Sequence, residues 1–293
     1  MGEIIKKSRP IDGQTGLVCL LGQPVAHSLS PAMHNTAFDA LGLNFRYLAF
    51  DVAPEDLASV SEGLKKMGAV GWNLTMPHKT EMAKLVDELS PAAKLIGAVN
   101  TVVNDGGKLT GHITDGIGEM RNLKAHGADV KGQRIVMAGA GGAARAVAVQ
   151  AALDGAVSID IFNRSEDKAR ALAELIGGGT DCAARGFALS DRKAFGDSLA
   201  EADIFINGTL LGMAPDTDSC VLEDGAMLSE KTVVADLVYH PGETKLLRLA
   251  KARGCDVVPG FGMLLYQGAA AFELWTGEKM PVETVKEKVF DAT

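Results

Sequence analysis

Apolar residues recur along the chain in short continuous runs: Leu17 to Leu21, Tyr47 to Phe50, Gly71 to Thr75, Arg134 to Ala138, Ser158 to Phe162, Ile204 to Ile206 and Val233 to Ala235. Each run stops at Gly, Pro, Asp or Asn, which predicts strands buried on both faces. Longer stretches with helical spacing separate them. Ser30-Pro31 reads as a cap and a first-turn proline opening a helix through Met33, Ala37, Phe38 and Leu41. Pro54-Glu55-Asp56 opens another, and His78 to Leu89, Ala143 to Leu153, Leu246 to Ala252, Met263 to Trp275 and Val282 to Phe290 read as further helices. This alternation predicts an α/β protein with parallel strands. The strands fall into two series, with the chain leaving the first near Gly118 and returning to it near Gly262. The expected domains are residues 1–117 with 262–293, and residues 118–261. Glycines at 116–118 and 260–262 mark the expected hinges.

The composition fits this picture and narrows it. Of 293 residues, 47% are hydrophobic and 23% charged, values of a globular chain able to bury its own core. Twenty-nine basic against 37 acidic side chains leave a net charge of −8, which argues against a broad nucleic-acid surface. Cys19, Cys182, Cys220 and Cys255 stand singly, so neither a disulfide framework nor a metal site is expected. Without a signal-peptide pattern or an apolar run of membrane length, the expectation is a soluble, cytoplasmic protein with no membrane partner.

Candidate chemistry begins where the Arg134 to Ala138 strand runs into Gly139-Ala140-Gly141-Gly142-Ala143, a GxGxxA turn opening a helix. Glycine there permits a tight turn and close approach of backbone to a pyrophosphate, whose charge meets a helix N-terminus. The next strand ends in Asn163-Arg164-Ser165, with Lys168 a turn later. A guanidinium and an ammonium at this position favour a 2′-phosphate and hence NADP, while Glu166 and Asp167 keep NAD open. In the first half, Ser28 and Ser30 stand at a helix start, where hydroxyls hold a carboxylate or cap the helix. Lys79 follows a strand ending in proline, and Asp115 follows Gly111-His112-Ile113-Thr114. With a dinucleotide turn, a lysine and a carboxylate supply what carbonyl reduction needs, a proton donor and a group to orient it.

These segments, HSLSP (27–31), NLTMPHK (73–79), GAVNT (97–101), TDG (114–116), GAGGAAR (139–145), FNRS (162–165), NGTLLGM (207–213), DLVYHPGETKLL (236–247) and GFGMLLYQGAAAFELWTG (260–277), occur in one order over nearly the whole chain. In that order they resemble the shikimate dehydrogenase family, with wording closest to its quinate/shikimate branch. The resemblance implies a substrate domain completed by C-terminal helices, a Rossmann-type NAD(P) domain, and an active site in the cleft. The implied activity is reversible reduction of 3-dehydroshikimate to shikimate, or of 3-dehydroquinate to quinate, in aromatic amino acid biosynthesis. It assigns Lys79 and Asp115 as the catalytic pair. Ser28 and Ser30 bind the carboxylate, and Thr75, Asn100, Tyr239 and Gln267 bind ring hydroxyls or complete the pocket. Tyr239 and Gln267 also read as ordinary boundary residues. Gly139 to Ala143 take the pyrophosphate, Asn163, Arg164, Ser165 and Lys168 the adenosine end, and Leu237, Gly260 and Met263 the nicotinamide side. The implied partners are small molecules alone, with no nucleic acid and no metal, for a monomer or homodimer. Ile113 stands where the family usually has Asn. That departure keeps two alternatives in view, a relative acting on a modified ring and a non-catalytic sensor of ring acid and nucleotide.

Overall fold

Backbone pairing sorts the strands into two six-stranded sheets in the computed structural model, which describes residues 9–290. Each sheet belongs to its own compact unit. One unit takes the described residues up to Thr114 and from Gln267 on, and the other is Asp115–Tyr266.

In the first unit, β1 (Gly16–Gly22), β2 (Phe45–Asp51), β3 (Gly71–Leu74), β4 (Glu88–Leu89), β5 (Thr101–Asp105) and β6 (Lys108–His112) lie in the order β2-β1-β3-β5-β6-β4. The sheet is mixed, because β5 runs antiparallel to both β3 and β6. This corrects the expectation of parallel strands throughout. The helix expected over 78–89 is also cut short to Lys79–Met82. Downstream, Asp87 N donates to the Leu109 carbonyl while its carboxylate accepts from Leu109 N, and Glu88–Leu89 pairs with β6. Ladder bonds at the sheet edge outweigh helix propensity there. Ser30 is the first helical residue instead of the cap, since Leu29 occupies the cap position without a side-chain bond. The C-terminal helices complete this unit: Trp275 donates Nε1–H to the Val102 carbonyl at 2.9 Å, and its ring meets those of His34 and Tyr47.

The second unit holds β7 (Arg134–Ala138), β8 (Ser158–Asn163), β9 (Ala183–Ala188), β10 (Ile204–Asn207), β11 (Val233–Asp236) and β12 (Val257–Val258), in the order β12-β11-β10-β7-β8-β9. All its pairings are parallel. Numbered from β7, this is the 3-2-1-4-5-6 order of a doubly wound dinucleotide fold, whose crevice opens where the order reverses, beside β7 and β10. The strands are apolar on both faces because helices cover both. Ala144, Ala146, Val147 and Ala148 line the inner side of helix Gly142–Leu153.

Candidate active site

In the first unit the predicted residues gather at one end of the sheet. The loop after β1 carries Ser28 and Ser30, and Ser28 Oγ accepts from the Ser30 amide at 3.2 Å. The loop after β3 carries Thr75 and Lys79 and is tied back to β1 by two bonds, Gln23 N to Met76 O and Thr75 N to Leu21 O. Leu29, at the cap position, makes no side-chain bond, and it is Ser28 that takes the first amide of the helix starting at Ser30. Beneath the loops runs a buried polar relay. Tyr47 donates its hydroxyl to Asn73 Oδ1 at 2.7 Å. Asn73 Nδ2 reaches the Asn100 carbonyl at 3.0 Å and Thr101 Oγ1 at 2.9 Å. Asn100 then receives the Thr114 amide on Oδ1 at 2.8 Å and donates from Nδ2 to Thr114 Oγ1 at 3.0 Å.

This relay has a positional consequence. The Lys79 carbonyl accepts from Val99 N, and Thr114, one residue before Asp115, is held by Asn100. The two-residue segment Val99-Asn100 therefore fixes both the lysine and the approach to the aspartate. Asn100 is 3% exposed, and both ends of its amide hold Thr114. Ile113 is buried, and Thr114 is held without an amide at position 113. The family's missing Asn thus leaves the loop anchored. Burial drives the Tyr47 phenol well above its ordinary pKa. Next to it, stacked at 4.5 Å, His34 is pushed down to about 3 by burial, and both its ring nitrogens lack partners. His34 is thus a neutral core imidazole. Gln267 lies in helix Phe261–Thr276 and belongs to this unit.

In the second unit, a cavity of about 980 Å³ lies along the glycine turn. Gly139, Ala140, Gly141, Gly142 and Ala143 form one wall, and Asn163 and Arg164 extend it. Gly139 has φ +105° and packs so tightly on β10's exit that a Cβ would stand 2.6 Å from the Gly208 carbonyl oxygen. The helix that follows is capped by Gly141 with no side-chain bond, which leaves its first amides facing the cavity. Arg164 is exposed, and Glu166 pairs with Arg170. One of the two acids that compete with a phosphate reading, Glu166, is therefore engaged elsewhere, while Asp167 stays beside the wall.

Ser165 and Lys168 stand outside the cavity wall, as do Leu237, Gly260 and Met263, which cluster around the ends of β11 and β12. Tyr239 is 56% exposed on the loop beyond β11. The wall also includes residues that sequence reasoning did not single out: Arg192, Thr209, Leu210, Ser219 and Cys220. Thr209 and Leu210 sit in the NGTLLGM segment, a visible signal. Arg192, held by Glu223 and the Val221 carbonyl, gave none. Among the described residues no group of His, Cys, Asp and Glu suits a metal ion, and no helix is long and apolar enough to cross a membrane.

Sheet order, glycine turn and cavity define the class first: a doubly wound dinucleotide-binding fold in a chain that also holds a second α/β unit. The profile of the shikimate dehydrogenase substrate binding domain matches residues 20–102, and that of the shikimate 5'-dehydrogenase C-terminal domain matches residues 260–290. A shikimate dehydrogenase (NADP(+)) of Listeria monocytogenes is 48% identical over 288 residues, 97% of this chain and 99% of the relative. The solved shikimate 5-dehydrogenase of Listeria monocytogenes, in complex with shikimate and NAD, superposes with a TM-score of 0.94 over 97% of this chain and 100% of that one, at 48% identity. Quinate dehydrogenase from Corynebacterium glutamicum, in complex with NAD, superposes with a TM-score of 0.85 at 33% identity, over 95% of this chain and 99% of that one. The chain belongs to the shikimate dehydrogenase family.

Proposed function

We propose that this protein catalyses the reversible reduction of 3-dehydroshikimate to shikimate with NADP(H), in aromatic amino acid biosynthesis. The observation that carries the reading is the fastening of the Lys79 carbonyl and of Thr114 to one Val99-Asn100 segment, which holds the backbone at the lysine and at the residue before the aspartate. The second unit fits the cofactor: the turn at Gly139 leaves no room for a side chain, uncapped helix amides face the cavity, and Arg164 stands on its wall. In this reading Gly139, Ala140, Gly141, Gly142 and Ala143 hold the pyrophosphate, and Asn163, Arg164, Ser165 and Lys168 serve the adenosine end. Leu237, Gly260 and Met263 serve the nicotinamide side. When bound, the nicotinamide supplies or accepts the hydride.

The remaining work falls to the chain's own side chains. Lys79 holds a proton at the substrate's carbonyl oxygen, and Asp115 orients the ammonium and accepts from a ring hydroxyl. Ser28 and Ser30 bind the ring carboxylate through their hydroxyl hydrogens at the start of the helix that begins at Ser30. Thr75, Asn100, Tyr239 and Gln267 match the ring hydroxyls, each of which would cost about 1–3 kcal/mol if buried unpaired. The substrate-binding domain on this reading comprises residues 1–117 and 262–293, the cofactor domain 118–261. A monomer or homodimer in the cytoplasm is consistent with four free cysteines.

Initial rates of shikimate and quinate oxidation, each with NADP and with NAD, test the reading. Shikimate with NADP is expected to be fastest. Folded protein that binds NADPH yet turns over none of the four combinations overturns it.

A further inference from the structure

Helix Asp115–Ala125 begins at the proposed catalytic carboxylate, and its inner face carries two polar side chains with no exposure, Glu119 and Asn122. Asn122 Nδ2 donates both to Glu119 Oε2, at 3.2 Å, and across to the Pro259 carbonyl, at 3.0 Å. Opposite it, the chain turns tightly: Met263 N bonds to Gly260 O, and a Cβ on Gly262 would stand 1.9 Å from Asn122 Oδ1. Two oxygens of this pair, Glu119 Oε1 and Asn122 Oδ1, have no hydrogen-bond partner. Solvent does not reach them, so the pair as an ionised carboxylate and an amide is one donor short.

We propose that Glu119 is a positioning residue which, with Asn122, fastens the helix that starts at Asp115 to the Pro259–Gly262 turn bearing Gly260 and leading into Met263. The inference rests on the reading of Asp115, Gly260 and Met263 given above. A proton on Glu119 supplies the missing donor, turning the pair into an uncharged acid and amide that share their hydrogen bonds. The surroundings favour that proton. Burial pushes Glu119 up to about 8, and the negative charge of Asp236, at the end of β11, adds to the push against the amide of Asn122. Asp236 already takes Asn207 Nδ2, Val238 N and Thr244 Oγ1. Arg145, the one ionisable side chain of the adjacent helix Gly142–Leu153, is not among the groups that shift Glu119. Ionisation of Glu119 therefore places a second negative charge beside Asp236 and removes the donor from the pair, loosening the fastening.

The test compares the parent chain with Glu119→Gln and Glu119→Ala from pH 6 to pH 9.5. It reads kcat and KM for shikimate with NADP, NADPH affinity by fluorescence, and the thermal unfolding midpoint. Glu119→Gln, permanently neutral and still a donor, is expected to keep kcat within about twofold at pH 7 and to lose the parent's falls in kcat and midpoint through pH 8. Glu119→Ala is expected to lower kcat about tenfold with NADPH affinity within about twofold. Parental kcat in Glu119→Ala, or the parent's pH dependence of midpoint in Glu119→Gln, overturns the proposal. Should Glu119→Ala fail to fold, the Glu119→Gln comparison alone decides. A parent that binds NADPH but oxidises neither shikimate nor quinate sinks the functional reading instead, and the unfolding comparison still judges Glu119.

Discussion

Asn73 uses both ends of its amide inside the protein, accepting from Tyr47 and donating to Asn100 and Thr101. Removing the phenolic hydroxyl with Tyr47→Phe leaves Asn73 Oδ1 buried without a donor, which should lower stability by about 1–3 kcal/mol in urea unfolding. An unchanged midpoint would mean that the relay carries no energy. The chemistry itself tests Lys79. Lys79→Ala should reduce kcat by about 10² to 10⁴ while KM for shikimate moves only a few-fold, because a proton donor acts in the transition state more than in binding. Equal losses in both would assign it to binding alone. Taken singly, Lys79 and Asp115 read as surface charges, and only the dinucleotide turn and the family segments around them single them out. The pairing of Tyr47 with Asn73 was not legible. A polar residue inside an apolar strand announces burial, but its partner lies 26 positions away and only the register of β1, β2 and β3 brings them together.

Among the elements, four of the six strands of the second sheet are legible as continuous apolar runs, with the glycine turn marking the first crossover, whereas β9, a half-exposed Ala-Ala-Arg-Gly-Phe-Ala, and the two-residue β12 carry no such run. The first sheet was read less well. The β5–β6 hairpin was missed, although Asn104-Asp105-Gly106-Gly107 carries its signal, with positive φ at both glycines and Asn104 Oδ1 accepting from Gly107 N. The 78–89 segment misled because its apolar spacing also suits a short helix followed by an edge strand, and the partner that decides, β6, comes later in the chain. At the cofactor wall, the helix after β8 removes Glu166 from Arg164 by pairing it with Arg170. Arg164→Ala should therefore raise KM for NADP about tenfold while leaving KM for NAD nearly unchanged, the signature of one lost phosphate contact. Equal changes with both cofactors would place Arg164 on the adenine or on no ligand at all.

For the whole molecule, ligand linkage provides a check that does not depend on turnover. NADP at about a hundred times its Kd should stabilise the chain by about 2.7 kcal/mol. The two units also hold buried titratable groups of opposite sense. His34, in the first, is neutral when folded and about 3 against an ordinary 6.5, so its unfolded form takes up protons first as the solution is acidified. Stability is full above pH 6.5 and falls as pH drops toward 3, by about 2 kcal/mol at pH 5. Urea unfolding at pH 5 and pH 7 should show this fall in the parent and its loss in His34→Leu. Glu119, in the second, runs the other way: raised from 4.5 to about 8, it contributes fully below pH 4.5 and loses its contribution as pH rises through 8. Acid and base should thus attack different halves of one polypeptide. Limited proteolysis should therefore make its first cuts in the first unit at pH 4.5 and in the second at pH 9, so that the order of cleavage reports which buried group is titrating.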